Sequence, residues 1–194
     1  GAARGIGLEL TKQALARGQR VIASVRSASD ELRALGDDVE IVDGIDVTDP
    51  AAHARLAKVV GGRELGLLLH DAGILERCSL DALDAASIRR QLEVNAIAPL
   101  MLTGALRPAL GQGSKLVVIT SRMGSIADNG SGGAYGYRMS KAAVNAAFKS
   151  LAVDLRARGV AVGILHPGYV RTDMTGGNGS MSAEESARLL FTRI

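Results

Sequence analysis

Two polar side chains one helical turn apart are the residues of this chain best suited to moving a proton. Tyr137 and Lys141 lie in a segment with helical periodicity, and residues four apart share one face of a helix. A tyrosine with a pKa near ~10 is a poor proton donor at neutral pH, and lowering that pKa to ~7 requires about 4 kcal/mol of phenolate stabilisation. A neighbouring ammonium group stabilises a phenolate. The pair therefore indicates acid–base chemistry, although the same spacing is common in purely structural helices.

A hydroxyl group that could work with this pair follows a predicted strand. Ser121 comes directly after the apolar run that ends at Thr120, and Ser125 lies four residues further on. Tyr135 is a second phenol in the region, but no lysine stands four residues after it. We therefore expect Ser121, directly after the strand, to share a site with Tyr137.

A glycine-rich turn at the first residues indicates a phosphate-binding site. Gly1, Gly5 and Gly7 stand in a Gly-x-x-x-Gly-x-Gly spacing that leads into a helical segment. Such a turn lets backbone N–H groups approach a pyrophosphate, whose charge the helix N-terminus favours. An ordinary glycine-rich turn has the same composition, so the spacing is more informative than the number of glycines.

Short β-branched apolar runs alternate with helical segments, and this alternation predicts the elements that position these residues. The predicted strands are 20–25, 39–42, 65–69, 115–120 and 160–165, and the predicted helices are 4–17, 28–35, 51–60, 85–109, 134–158 and a last one from 182 onward. Pro99 should bend or interrupt the longest helical segment. The glycine-rich stretch 175–180 is predicted to be a mobile loop. The alternation predicts an α/β fold, a Rossmann-type doubly wound parallel sheet in a three-layer αβα arrangement.

One dinucleotide-binding domain is predicted over residues 1–194, incomplete at both ends. A helix that opens on a glycine turn is normally preceded by an apolar strand, and we expect that strand to come before Gly1. Near the other end, Ser182 and Glu185 predict a capping box for a further helix, which we expect to be cut off near Ile194.

Composition and charge argue against several other classes of protein. The net charge of +3 comes from mixed charges without a basic run, so no nucleic acid partner is expected. No apolar run approaches the ~20 residues of a spanning helix, so no membrane partner is expected either. Cys78 is the single cysteine, which excludes an intramolecular disulfide and fits a cytoplasmic protein. No metal is expected, because His53 and His166 lack ligand spacing and are interpreted as surface and structural residues.

In their order along the chain, these motifs resemble those of the short-chain dehydrogenase/reductase family, and the resemblance covers essentially the whole chain. The matching features are the glycine turn, His70-Asp71-Ala72-Gly73 in place of Asn-Asn-Ala-Gly, Asn95 on the long helix, Ser121, the Tyr137/Lys141 pair and the Pro-Gly turn within 166–172. The segments 121–126 and 135–141 most resemble the C-factor and sniffer-type carbonyl reductases.

The resemblance implies an enzyme that reduces a carbonyl compound to an alcohol, reversibly, with a nicotinamide dinucleotide. Tyr137 would be the general acid, and Ser121 would donate a hydrogen bond to the substrate oxygen. Lys141 would lower the pKa of Tyr137 and hold the nicotinamide ribose, while Asn95 would support a water-mediated proton relay. These roles meet the need for preplaced donors where alkoxide charge develops.

The resemblance also implies which residues hold the cofactor. They come from the glycine turn, the ends of predicted strands, the catalytic pair and the Pro-Gly turn: Gly1, Arg4, Gly5, Ile6, Gly7, Arg26, Asp46, Val47, Ala72, Gly73, Tyr137, Lys141, Pro167, Gly168, Val170 and Thr172. The segment 167–172 would hold the nicotinamide carboxamide, and Asp46 and Val47 would hold the adenine.

NADP(H) is the expected cofactor, with NAD(H) as the alternative. NAD enzymes of this fold grip the ribose 2′-hydroxyl with an acidic residue at the end of the second strand. Arg26 follows that strand here, and no acidic residue comes before Asp30. Arg26 and Arg4 can form charge-assisted hydrogen bonds to a 2′-phosphate. Both arginines could instead be solvated, but the missing acidic residue still argues against NAD(H).

Two departures from the family pattern bear on activity. His70-Asp71 replaces a pair of asparagines, which we interpret as a variation rather than a loss of activity. Ser121 lies further from Tyr137 than is usual in the family, and an insertion around 128–133 would account for this.

The leading hypothesis is an NADPH-dependent reductase of a small or medium carbonyl compound. One alternative is a non-catalytic dinucleotide-binding signalling protein of the C-factor type, which the complete Ser-Tyr-Lys set disfavours, and another is a 3-oxoacyl carrier-protein reductase. Family members pair through the helices that correspond to 85–109 and 134–158, so a homodimer or homotetramer is expected.

Overall fold

Strands and helices alternate along the chain in the structure, a computed structural model that describes residues 1–194. The strands are β1 (Val21–Ser24), β2 (Val39–Val42), β3 (Leu67–His70), β4 (Lys115–Ile119) and β5 (Ala161–Leu165). The α-helices are α1 (Gly5–Leu15), α2 (Asp30–Arg33), α3 (Pro50–Val60), α4 (Ala85–Leu92), α5 (Ala98–Leu106), α6 (Tyr135–Asp154) and α7 (Ala183–Phe191). Every predicted strand and helix is present, with ends that differ by a few residues.

All strand pairs are parallel, and the predicted Rossmann-like αβα fold is confirmed. β1 pairs with β2, and β4 lies between β3 and β5 in a second sheet. The chain divides into two compact units, one formed by Gly1–Gly61 with Pro167–Ile194 and the other by Gly62–His166. The first holds β1 and β2, and the second holds β3, β4 and β5.

The first unit is built on an aliphatic cluster beneath β1 and β2. Leu8 of α1, Ala23 of β1, Leu32 of α2 and Val39 of β2 are all buried in it. α1 also packs against α7. Hydroxyl and carboxylate caps start the other helices of this unit, for example Asp49, which accepts a hydrogen bond from the Ala51 amide at 2.9 Å before α3.

The second unit has its core between its sheet and α6. Leu116 and Val118 of β4 pack with Val144 and Phe148 of α6, and each of these side chains is buried. Because β4 is central and apolar, the residues that follow its last position emerge at the carboxyl edge of the sheet. Ser121 is one of them.

The long helical segment predicted over 85–109 is interrupted, as Pro99 led us to expect. A π-helix at Glu93–Ile97 separates α4 from α5, and a 3-10 turn at Arg107–Ala109 follows. Pro99 has no N–H for the carbonyl of Asn95, the acceptor four residues before it, so regular α-helical bonding cannot continue there. π-helical turns of this kind are often found at functional sites.

The stretch 175–180, predicted to be a mobile loop, is held by specific hydrogen bonds. A 3-10 turn at Asp173–Thr175 precedes it, and the Thr175 hydroxyl donates to Val170 O at 2.9 Å. Arg171 N donates to Met181 O at 3.0 Å across the loop. Side chain to backbone bonds of this type leave no periodic signal in a sequence.

No helix combines the length and hydrophobicity that a membrane-spanning segment requires.

Candidate active site

Tyr137 and Lys141 lie on the buried face of α6, near its first residue. The Lys141 Nζ atom is 5.7 Å from the centroid of the Tyr137 ring, so the two side chains point the same way. Ala134, just before α6, has a left-handed φ of 47°, and its N–H donates to Cys78 O at 3.1 Å. This bond fixes the start of α6, and with it the first turn that carries Tyr137.

Lys141 is held by the backbone of the sheet. Its Nζ donates to Ile119 O, the last residue of β4, at 2.9 Å. Burial lowers the pKa of Lys141 to about 8, and the negative charge of Asp71 opposes this change. An ammonium group with this pKa is present at neutral pH and is lost as the pH rises above about 8.

The phenol of Tyr137 keeps its proton at neutral pH. Burial raises the pKa of Tyr137, and a hydrogen bond with the Ser121 side chain opposes the change. The predicted lowering of this pKa is therefore not produced by the protein groups alone. In this state Tyr137 is a protonated acid with its hydroxyl beside that of Ser121.

Ser121, rather than Ser125, is the serine beside Tyr137. Its Oγ accepts a hydrogen bond from Met123 N at 3.1 Å and caps the 3-10 turn Arg122–Gly124. Ser125 is used elsewhere, because its Oγ accepts from Asp128 N at 3.3 Å.

The imidazole of His166 holds the backbone that follows Ser121. Its Nδ1 accepts from Arg122 N at 3.4 Å, and burial lowers the pKa of His166, which favours the neutral ring that can accept this bond. His166 is thus structural, as predicted.

Asn95 lies in the π-helix, and both polar atoms of its side chain are hydrogen-bonded to other residues of the chain. Its Nδ2 donates to Ile74 O at 2.9 Å and to Ser140 Oγ at 3.0 Å, and its Oδ1 accepts from Ile74 N at 2.8 Å. These bonds hold the segment after Gly73 against α6. Any part that Asn95 plays in a proton relay must therefore use its backbone carbonyl, the group that Pro99 leaves without its α-helical donor.

Gly124 is the closest backbone contact between the Ser121 turn and α6. A Cβ atom at this position would lie 2.7 Å from the Lys141 carbonyl carbon and 2.9 Å from its Cβ. The Gly124→Ala variant is expected to lose about 1–3 kcal/mol of stability through overpacking. A displacement of Ser121 by about 1 Å should also lower kcat/KM by up to about 10²-fold. Thermal denaturation and steady-state kinetics measure the two effects.

Gly130 provides a matched control in the same loop, because a Cβ there meets no atom within 4 Å. Gly130→Ala should have the wild-type melting temperature and kcat/KM. Wild-type behaviour of Gly124→Ala would contradict the close packing of the turn on α6.

In the first unit, the glycine turn forms an open helix N-terminus. α1 has no side-chain cap and no acidic residue in its first turn, so its first amides lack a protein partner of opposite charge. Gly5 has a left-handed φ of 55°, and a Cβ there would lie 3.5 Å from the Thr172 methyl. Gly7 is buried, and Ile6 lies between these two glycines in the first turn. This donor set suits a phosphate group.

Arg4 and Arg26 differ in the bonds they make. Arg4 forms an exposed ion pair with Asp173, with Nη1 2.9 Å from Oδ2, and such pairs contribute little stability. Arg26 is exposed and makes no hydrogen bond, although its charge helps to lower the pKa of Asp46. The larger causes of that lowering are two hydrogen bonds from Thr48 to Asp46 Oδ1, at 2.9 and 2.8 Å.

His53 is structural and buried, not a surface residue. Its Nε2 lies 2.6 Å from Val47 O, so this histidine fixes the backbone of a predicted adenine-binding residue.

The Pro-Gly turn is similarly anchored. Ser186 of α7 donates from Oγ to Pro167 O at 2.7 Å, and Thr172 N donates to Thr175 Oγ1 at 3.1 Å. Gly168 has a φ of 90°, and Val170 is buried and forms a β-bridge with Met181.

A family model for the short chain dehydrogenases matches residues 1–183. The chain belongs to the short chain dehydrogenase family.

Proteins similar to this chain include a dehydrogenase and a protein named C-signal. The 1-hydroxy-2-glutathionyl-2-methyl-3-butene dehydrogenase of Rhodococcus sp. is 39% identical and covers 100% of this chain and 88% of its own. The C-signal of Myxococcus xanthus is 45% identical over 63% of this chain and 75% of its own.

Solved structures of carbonyl reductases match nearly the whole chain. The carbonyl reductase Sniffer of D. melanogaster has a TM-score of 0.91 at 29% identity, covering 99% of this chain and 88% of its own. A carbonyl reductase from Pseudomonas aeruginosa in complex with NADP has a TM-score of 0.87 at 34% identity, covering 99% and 86%. This short chain dehydrogenase is therefore similar both to C-signal and to the carbonyl reductase Sniffer.

The structure explains how this short chain dehydrogenase accommodates His70 where the family has asparagine. His70 Nε2 lies 2.9 Å from Thr103 Oγ1, and the Thr103 hydroxyl donates its proton to Pro99 O at 2.7 Å. The imidazole must therefore donate, which fixes its tautomer. The ring also packs edge-on against Phe148, with centroids 5.7 Å apart. His70 thus ties β3 to α5 in the core.

Of the two residues that stand where the family has asparagines, Asp71 has the larger effect on the candidate site. Burial raises the pKa of its carboxyl, and the Lys141 ammonium opposes this change. Gly73, which completes this motif after Ala72, packs closely, since a Cβ there would lie 3.3 Å from Asn95 Oδ1 and 3.8 Å from Lys141 Nζ. The segment 70–73 therefore packs close to Lys141, and its Asp71 carboxyl interacts with the Lys141 ammonium.

Sequence reasoning missed two arginines that shape the loop between Ser121 and Tyr137. Arg122 forms a two-point ion pair with Asp128. Arg138 donates to Ser131 Oγ at 2.8 Å and to the carbonyls of Gly132, Gly133 and Met123 at 3.2 to 3.3 Å. The predicted insertion at 128–133 flanked by arginines was the only signal for these bonds.

Proposed function

We propose that this short chain dehydrogenase is an NADPH-dependent reductase that converts a carbonyl compound to an alcohol, and acts reversibly. The observation that supports this most is the group formed by Ser121, Tyr137 and Lys141, in which a protonated phenol is hydrogen-bonded to a hydroxyl and has a buried ammonium 5.7 Å from its ring centroid. A protein that only bound a dinucleotide would have no use for this group.

The three side chains divide the work of proton transfer. The nicotinamide cofactor supplies the hydride when it is bound. The hydroxyls of Ser121 and Tyr137 hold the carbonyl oxygen, and Tyr137 gives its proton to that oxygen as negative charge develops on it. Lys141 stabilises the resulting phenolate, and in the oxidation direction the same phenolate accepts the proton of the alcohol.

The residues present fit NADP(H). The uncapped N-terminus of α1 would hold the pyrophosphate, and Asp46, Val47 and the segment 167–172 would hold the adenine and the nicotinamide carboxamide. Ala72 and Gly73 would border the cofactor in the second unit. The NADP-bound carbonyl reductase among the solved structures supports the choice of this cofactor. Arg26, which makes no hydrogen bond within the chain, is the best placed cation for the 2′-phosphate.

NADPH should stabilise the protein against heat more than NADH does, because only NADPH carries the phosphate that Arg26 would bind. Arg26→Ala should weaken NADPH binding by about 10- to 100-fold, as expected for a charge-assisted hydrogen bond of about 1.5–3 kcal/mol, and leave NADH binding unchanged. Thermal-shift titrations with both cofactors measure this. Arg20, exposed at the opposite end of β1, gives the control Arg20→Ala. Equal shifts with NADPH and NADH would remove the assignment.

The reductase proposal itself is tested by NADPH oxidation with a panel of aldehydes, ketones and 3-oxoacyl thioesters. Turnover of simple carbonyl compounds that depends on Tyr137 supports it. Binding of NADPH without turnover of any compound would favour a signalling function like that named for the Myxococcus relative. Turnover confined to the thioesters would favour a 3-oxoacyl carrier-protein reductase.

We further propose a cytoplasmic homodimer or homotetramer that assembles through α5 and α6. Leu100 and Met101 of α5 and Met139 and Val153 of α6 are large apolar side chains exposed to solvent.

A further inference from the structure

A cavity of about 630 Å³ adjoins the turns that carry the acid–base residues. Its lining residues all belong to the second unit: Arg77, Cys78, Ser79, Ala82, Met123, Ser131, Gly132, Gly133 and Ala134. Met123 donates its N–H to Ser121 Oγ, and Ala134 starts the helix that carries Tyr137. The volume lies within the ~300–1,000 Å³ typical of small-molecule sites.

Hydrogen bonds hold the wall of this cavity in place. The buried side chain of Gln91 binds both backbone groups of Glu76. Its Oε1 accepts from Glu76 N at 3.0 Å, and its Nε2 donates to Glu76 O at 3.1 Å. Two residues later, Cys78 O accepts from Ala134 N at 3.1 Å. Arg77 therefore lies on a segment that is anchored on both sides of it.

Arg77 is the one charged residue that lines the cavity, and its guanidinium has no partner in the chain. Two carboxylates on the neighbouring segments are already neutralised, and Asp81, four residues after Arg77, does not line the cavity. Glu76 forms a two-point pair with Arg90, at 3.2 and 2.7 Å, and Asp128 on the loop pairs with Arg122. Arg138 does not line the cavity, but its guanidinium donates hydrogen bonds to the lining residues Ser131, Gly132 and Gly133.

We propose that this cavity binds the part of the substrate remote from the carbonyl group and that Arg77 pairs with an anionic substituent there, such as a carboxylate. The inference rests on the proposed reductase function, which it deepens by naming the substrate class. A guanidinium that is unpaired in the protein loses no internal bond on binding a carboxylate, so it can form a two-point contact at little cost. No acidic residue lines the cavity, so an anion bound there contacts no carboxylate of the lining.

The test compares ω-oxo carboxylates of increasing chain length with their methyl esters as substrates of the NADPH-dependent reaction. The wild-type enzyme should have a higher kcat/KM for an acid than for its ester. Arg77→Gln should lower kcat/KM for the acid by about 10- to 100-fold, the equivalent of ~1.5–3 kcal/mol for a charge-assisted bond, and change that for the ester less than about twofold. Arg77→Lys should retain part of the preference for the acid over the ester, because lysine keeps the positive charge but lacks the two-point geometry of a guanidinium.

Arg89→Gln is the matched control, since Arg89 is an exposed arginine of α4 that does not line the cavity. Equal kcat/KM for acid and ester, or an equal effect of Arg77→Gln on both, would overturn the anion site while leaving the reductase function intact. If neither compound is reduced, the panel of aldehydes, ketones and thioesters decides the reductase proposal separately. Thermal-shift titration with the same acids then decides the Arg77 site alone: a shift that Arg77→Gln abolishes supports it, and a shift that persists in the variant, or no shift in the wild type, overturns it.

Discussion

Replacing Tyr137 with phenylalanine is expected to lower kcat for carbonyl reduction by about 10²–10⁴-fold, the usual contribution of a positioned general acid. The ring and its packing remain, and only the hydroxyl beside Ser121 is lost. Thermal stabilisation by NADPH should be close to that of the wild type, because binding the cofactor does not require the proton. Steady-state kinetics and thermal-shift titration measure the two properties.

Tyr135→Phe is the control for this variant. Tyr135 lies two residues earlier on α6, is only half-buried, and has Met139 four residues after it in place of a lysine. Its substitution should leave kcat within about twofold of the wild type, in the range of ordinary surface effects. A comparable loss in both variants, or a fully active Tyr137→Phe, would exclude Tyr137 as the proton donor.

Lys141→Met is expected to reduce kcat/KM by about 10- to 10³-fold, since an adjacent opposite charge shifts a pKa by about 1–3 units and each unit corresponds to a factor of ten. The pH dependence adds a second signature. The pKa of Lys141 is lowered to about 8, so the ammonium is present below that pH and lost above it. Carbonyl reduction by the wild type should therefore decline as the pH rises through about 8, and the residual activity of Lys141→Met should lack this decline.

The variant should still fold, because an apolar chain of similar length replaces a buried charge. Lys149→Met, which removes an exposed lysine of the same helix, should keep both the rate and the pH profile of the wild type. A decline near pH 8 that persists in Lys141→Met would assign the titration to another group.

The local patterns predicted much of the fold and part of the site. β2 is found at the predicted residues, because an apolar run between turn residues has few other arrangements. Tyr137 and Lys141 share a face of α6 because the helical period dictates it. Ser121 could be preferred to Ser125 because the first residues after a buried parallel strand emerge at the edge of the sheet.

What the sequence did not reveal depends on contacts between residues far apart in the chain. Arg4 pairs with Asp173, and His70 bonds to Thr103 on another element. No local pattern records such partners. The π-helix was foreseen only as an interruption, because Pro99 shows that a bond is lost but not how the backbone rearranges. The cavity beside Arg77 is formed by segments that are far apart in the sequence, so it could not be predicted before the fold was known.

Arg138 joins Tyr137 to the cavity wall, since it follows Tyr137 directly and binds the loop mainly through main-chain carbonyls. These carbonyl groups can accept hydrogen bonds from Arg138 whichever side chains the loop carries. Exchanges at position 131 can therefore remodel the shape of the cavity while the bonds from Arg138 to the three carbonyls stay in place, so we expect that selectivity can be altered separately from the chemical step.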